Sequence, residues 1–144
     1  MERIKLHYTG PFNFSTNIPV RITDLNYGGH VGNDVFLSLV HEARLQFLKH
    51  HGFTELEFAG AGIIMADAAL EYKRELNYGD VVKISVAAHG FDKLGFDLHY
   101  LLEVEVNGEN KIAAKAKTGM ICYDYALKKK VPVPQQAVTA LGNV

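Results

Sequence analysis

Cysteine is almost absent: Cys122 stands alone in 144 residues. One thiol cannot close an internal disulfide or build a cysteine-based metal site. Its expected place is a small, buried strand position in a protein of a reducing compartment. Tryptophan is missing, so the aromatic surface comes from eight Phe and seven Tyr. An excess of charge is missing too. Fifteen basic residues against sixteen acidic ones leave a formal net charge of −1. No basic field points toward nucleic acid or an anionic membrane. No apolar run reaches the length of a membrane span. The opening MERIKLHYTG carries no apolar stretch of signal-peptide length, so the cytoplasm is the expected location.

What is present suits one globular domain spanning residues 1–144, with 48% apolar residues to build a core. Short strands are expected at residues 4–8 and 12–22, with Gly10-Pro11 between them and Pro19 at an edge. A loop rich in glycine and polar residues runs from Thr23 to Gly32. It leads into one long helix reaching about His51. Phe36, Val40, Ala43 and Phe47 form an apolar stripe there, widened by Leu37, Leu39 and Leu48. Asn33 or Asp34 is the expected side-chain cap. Lys49, His50 and His51 suit the negative carboxyl end, and Gly52 can close it.

After a helical turn expected at residues 54–58, extended patterns follow at 63–76, 81–89, 96–106 and 111–125. Asn77-Tyr78-Gly79-Asp80 and Asn107-Gly108 supply turn chemistry between them. Strands joined by tight turns make an antiparallel sheet. One face of that sheet needs cover, and the long helix is the available cover. The expected class is α+β, a sheet wrapped around a helix. The tail reads as a charged exit through Lys128–Pro134, then a short surface helix at 135–141.

The chemistry-bearing residues gather where the loop enters the helix. Free N–H groups at a helix start bind negative charge and can stabilise the oxyanion formed on an attacked ester or thioester carbonyl. Asp24 on the loop and Glu42 on the helix are candidate bases. His30 has the right range for proton transfer. Each also has a plain structural reading. Asp24 and Asn26 can organise a turn, His30 can pin the loop, and Glu42 can pair with Arg44 or Lys49 on the helix surface. The other histidines show no ligand spacing, so no metal is expected. Lys93, Lys117 and Lys128–Lys130 are expected to be solvated surface charge. Met65, Phe91 and Phe96 fit core packing as well as an acyl pocket.

The segment DLNYGGHVGNDVFLSLVHEAR resembles the D-x-D-x-x-G-H-V-N-N-x-x-Y-L-x-x-x-E-x-A-R signature of hotdog-fold acyl-CoA thioesterases, the 4-hydroxybenzoyl-CoA thioesterase-like group. ALEYKRELNYGDVVKISV and AAKAKTGMICYDYALKKKVPVP resemble that family's later strands, and the matches span roughly residues 18–134 in order. The resemblance implies a hotdog fold, a homodimer or homotetramer paired through edge strands, and an active site at the subunit interface. It implies hydrolysis of an acyl-CoA, or of an acyl-carrier-protein thioester, to a free acid. No separate cofactor is needed, because CoA arrives as part of the substrate.

Carried over by residue, Asp24 keeps the first acid of D-x-D, while Asn26 stands where the family's catalytic aspartate would. His30 and Glu42 carry the signature's His and Glu. Asn33 marks the helix amino end whose backbone N–H polarises the carbonyl, and Gly32 replaces the first Asn of V-N-N. Phe36 replaces a Tyr, so a hydroxyl is lost. An amide cannot act as an ionised base, although it can orient water. Two alternatives therefore stand beside hydrolysis: a non-catalytic acyl-thioester binding protein, and a hotdog hydratase or dehydratase.

Overall fold

The computed structural model describes residues 1–142. Six strands and two helices follow in the order β1 (Phe14–Pro19), α1 (Val35–His50), β2 (Gly62–Tyr72), β3 (Val81–His89), β4 (Gly95–Val106), β5 (Glu109–Asp124), β6 (Lys129–Lys130) and α2 (Gln135–Leu141). All strand pairs are antiparallel. The sheet order is β1-β3-β4-β5-β2, with β6 beside β5. β1 and β2 therefore lie at opposite edges of the main sheet.

The sheet wraps α1, as the single apolar helix requires. Phe36, Leu39, Val40, Ala43, Phe47 and Leu48 are buried on the helix. They join one core with Val82, Ile84 and Val86 of β3, Leu98, Tyr100 and Leu102 of β4, and Ala114, Ala116, Met120 and Cys122 of β5. Each large side chain buried in this way contributes about 1.5–3 kcal/mol. Burial also pushes the Cys122 thiol up to about 11, which makes it an unreactive core residue.

The turns follow their residues closely. Asn107 and Gly108 both take positive φ, 53° and 80°, which joins β4 to β5 by a two-residue hairpin. The carboxyl end of α1 closes on Gly52 at φ 84°. Gly52 N–H donates to the Lys49 carbonyl at 3.0 Å, and Phe53 N–H donates to the Leu48 carbonyl at 2.8 Å. Those two bonds satisfy carbonyls that the helix leaves open.

Several expectations are corrected. Residues 4–8 form no strand. Their contacts go to side chains on the sheet: Leu6 N–H donates to Glu71 at 3.1 Å, and the Tyr8 ring stacks on His99 at 4.4 Å. β1 stops at Pro19, after which Ile22–Asp24 makes a 3₁₀ turn. Residues 54–58 form no helical turn: Glu55 and Leu56 bend and Phe58 bridges to Ala61, with the Glu57 N–H bonded to the Thr54 hydroxyl at 2.9 Å. β2 ends at Tyr72, short of Leu76. The Lys73 and Arg74 N–H groups both turn to the Ala113 carbonyl, at 2.8 and 3.0 Å. The basic exit contains a short strand, β6, which extends the sheet. Asp34 occupies the cap position of α1, but no side chain caps the helix.

Candidate active site

The loop before α1 is a small closed structure. Leu25 and Val31 bridge each other, and between them Asn26 N–H donates to the His30 carbonyl at 2.8 Å. The Asn26 side-chain oxygen accepts the Gly28 N–H at 2.8 Å, a local turn typical of asparagine. A Cβ at Gly28 would sit 3.2 Å from that oxygen and 3.3 Å from His30 Nε2. Glycine leaves the space between the amide and the imidazole open.

Asp24 lies beneath this loop and is buried. Its carboxylate accepts the Arg21 N–H at 2.7 Å and pairs with the Arg21 guanidinium at 3.3 Å. Its carbonyl accepts the Gly32 N–H at 3.3 Å. These bonds give Asp24 the loop-organising role. Val31 N–H donates to the Leu76 carbonyl at 2.9 Å, tying the loop to the segment after β2.

That tie forms a cleft of about 290 Å³ lined by His30, Val31, Asn33, Phe36, Tyr72, Lys73, Arg74 and Glu75. His30 Nε2 stands 3.8 Å from Glu75, and Nδ1 lies 3.4 Å from the Val31 carbonyl. Gly32 and Asn26 pack together next to the cleft-lining segment, since a Cβ on Gly32 would reach 3.7 Å from Asn26 Cβ, although neither lines the cleft itself. α1 begins through a tight turn, with Val35 N–H on the Gly32 carbonyl at 3.0 Å. Among the described residues, no acceptor meets the backbone N–H of Asn33, Asp34 or Phe36. Such open donors at a helix start favour negative charge.

The cleft thus brings together His30, Asn33 and Phe36, with Asn26 and Gly32 alongside. It does not include Glu42. The signature's spacing puts its acid at position 41, held here by His41, and Glu42 stands one residue on, about 100° around the helix. Glu42 lines a separate groove of about 420 Å³ between β1 and α1, with Arg21, Ser38 and Gln46. Its carboxylate accepts the Gln46 amide at 3.0 Å. Neither Arg44 nor Lys49 pairs with it among the described residues. Arg44 turns inward to Glu55 at 3.1 Å, and His41 meets the same carboxylate at 2.9 Å.

Tyr72, like Glu75, is a cleft residue that sequence reasoning missed as a functional group. Its hydroxyl donates to the Asn33 carbonyl at 2.9 Å. Its ring meets Phe36 edge-on, with centroids 5.1 Å apart and planes at 81°. Burial, then the nearby Asp34 charge, raises its pKa above the ordinary tyrosine value, so the hydroxyl keeps its proton. Alternation along β2 puts Tyr72 on one face with Ala68 and Leu70, but no spacing in the chain places it beside Asn33. Among the described residues no group of His, Cys, Asp and Glu side chains could hold a metal ion.

The architecture and this loop-to-helix entrance are those of a hotdog thioesterase-type domain. The chain belongs to the thioesterase-like superfamily, whose family model matches residues 20–141. Solved structures share the fold across nearly the whole chain. A thioesterase superfamily protein from Jannaschia is similar at a TM-score of 0.82 and 17% identity, over 92% of this chain and 83% of that one. A 1,4-dihydroxy-2-naphthoyl-CoA thioesterase from Synechocystis is similar at 0.79 and 21%, over 91% and 96%. A thioesterase from Thermus thermophilus, solved with coenzyme A and Zn, is similar at 0.76 and 25%, over 91% and 98%. No relative matches among proteins of curated function.

Proposed function

We propose that the protein hydrolyses an acyl-CoA thioester to a free acid and CoA, with the thioester carbonyl docked at the amino end of α1. The observation that carries this reading is the open N–H groups at the start of α1, those of Asn33 and Phe36 belonging to residues that line the cleft together with His30. In the reaction, water adds to the carbonyl carbon while His30 Nε2 takes its proton. The negative oxygen forms against these open backbone donors. Glu75 offsets the positive charge on the imidazolium. The C–S bond then breaks, CoA leaves as its thiolate, and His30 returns the proton to sulfur. Asn26 orients the water through its amide nitrogen, which has no partner among the described residues. Asp24 acts on the loop and not on the substrate. Glu42 stays outside this mechanism.

The proposed assembly is a homodimer joined along β2, an edge strand of eleven residues. Met65, Ala66, Asp67 and Ala68 are exposed along it. A long exposed edge favours pairing with a second copy.

Release of free thiol from a panel of straight-chain and aryl-CoA thioesters tests the activity. His30→Ala is expected to lower turnover about 100-fold or more, with the thermal unfolding transition retained. No thiol release above background from any member of the panel overturns the hydrolytic reading. A binding-only reading draws on the Asn26 side chain, which already spends its oxygen on Gly28. Tight acyl-CoA binding without turnover, unchanged in Asn26→Asp, is the outcome that selects it.

A further inference from the structure

Residues 1–13 form no strand, yet they cross the outer face of the sheet, the one turned away from α1. Phe12 shares a surface hollow with Lys83 and Ser85 of β3. Tyr8 meets the His89 ring of β3 at 5.2 Å and stacks on His99 of β4 at 4.4 Å. Leu6 N–H reaches the Glu71 carboxylate of β2 at 3.1 Å. The segment is thus a strap laid from the β1 edge to the β2 edge. Its cover shows at Ala87, which sits between the core-facing Val86 and Ala88 on β3, lies outside the core, and is still fully buried.

Burial alternates along the strap. Leu6, Tyr8 and Phe12 are half-buried, whereas Lys5, His7, Thr9 and Pro11 are exposed. The next position on the covered side is Ile4, and it is 56% exposed. Its exposure follows from reach. β2 lies two strands past β4, about 10 Å from the Tyr8 ring, while the four residues back to Ile4 span about 13 Å. Ile4 therefore overhangs the open β2 edge, with no sheet of its own chain beneath it.

The proposed pairing of two β2 edges supplies what lies there. An antiparallel pair around a two-fold axis sets the end of one β2 beside the start of the other. With the axis at the middle of the exposed stretch Met65–Ala68, Glu71 stands beside the partner's Gly62 and Ile64. The outer surface at that end of β2 is apolar. Ile63 and Cys122 pair and both belong to the core, so the adjoining pair, Ile64 and Ile121, faces outward. Tyr123, paired with Gly62 on that side, meets the Tyr125 ring at 5.2 Å.

We infer that residues 1–5 are an exchanged arm: Ile4 of one copy docks on the outer apolar surface formed by Ile64, Ile121 and Tyr123 of the second copy. This rests on the β2 pairing and adds a second, reciprocal contact to it. Burying an isoleucine in this way strengthens the dimer without touching the cleft or the core of either chain.

The dissociation constant of the dimer is measured by sedimentation for wild type, Ile4→Asp and Ile22→Asp. Ile22 is the control, 67% exposed just past the opposite edge strand. Ile4→Asp is expected to raise the constant about tenfold or more, and Ile22→Asp to leave it unchanged. In a second arm, chains carrying Ile4→Cys are mixed with mass-tagged chains carrying Ile64→Cys and treated with a short bismaleimide. The native Cys122 is buried. A cross-linked product of one tagged and one untagged chain is expected, at higher yield than from Ile22→Cys chains mixed with the same partner. A dimeric wild type in which either effect is absent overturns the exchanged arm and leaves the β2 pairing standing. A wild type that stays a single chain overturns the pairing and the arm together.

Discussion

His51 ends α1 with its ring Nε2 buried and without a partner among the described residues. It packs edge-on to Phe47 and His50, with centroids 4.8 and 5.0 Å away. Burial first, and the neighbouring His50 second, lowers its pKa below the ordinary 6.5. His99, beneath the Tyr8 ring, is lowered as well, mainly by burial. The unfolded chain therefore takes up these protons more readily than the folded one, and stability declines as pH falls. The loss begins below about pH 6.5 and continues down to the folded values. Urea midpoints measured across that window are expected to fall with pH, and His51→Gln is expected to flatten part of the slope. An unaltered slope in that variant would rule out His51 as a contributor. At this scale the sequence supplied residue types and nothing about partners. Asn26 and Asp24 were legible as turn formers because their side-chain bonds go to residues two or three positions away. Tyr72 was not, since its acceptor lies 39 residues earlier in the chain.

At the scale of elements, α1 is fastened to the sheet by more than apolar contact. Arg44 is 5% exposed. It donates to Glu55 at 3.1 Å and to the Tyr100 hydroxyl at 3.4 Å. Tyr100 in turn meets Thr118 of β5 at 2.8 Å. Burial opposes the charge on Arg44, but Tyr100 and Glu55 outweigh it and hold the guanidinium above its usual range. Arg44→Ala is expected to cost about 2–3 kcal/mol, the loss of charged hydrogen bonds with their partners left behind. Arg44→Lys should recover little of this, because one ammonium cannot reproduce the fork that spans two elements. Chemical denaturation of the two variants checks both statements, and a lysine variant as stable as wild type would remove the argument from geometry. The helix itself was readable from its apolar stripe and from Gly52. Its side-chain cap was misread, because Asn33 and Asp34 are residues that commonly cap, yet here the tight turn from Gly32 sets the helix start.

For the whole molecule, the open edge of β2 carries the consequence. Its partner in the chain is β5, on one side only. A bulge at Ala66 interrupts that pairing, where Asp67 accepts the Gly119 N–H at 2.8 Å and grips Lys117 at the same distance. The proposed pairing of two β2 edges predicts a particle of twice the chain mass in light scattering coupled to gel filtration. Met65→Glu combined with Ala68→Glu places like charges along that edge and is expected to shift the particle toward single chains. A wild-type particle of one chain mass would refute the pairing. No helix among the described residues is long and apolar enough to cross a membrane.

The sequence by itself determined the long elements and the class of the fold. Apolar periodicity, turn dipeptides and the glycine at the helix end are local in the chain, and local rules read them. It also marked the entrance to α1, where five polar residues crowd together. The tertiary structure decided which of those residues face one another. It set Asp24 under the loop, moved Glu42 into another groove, and brought Tyr72 from the sheet onto Asn33. The physical reason is that a site needs contacts between segments distant in the chain. Those contacts are set by how the sheet closes around the helix, which no spacing along the sequence records.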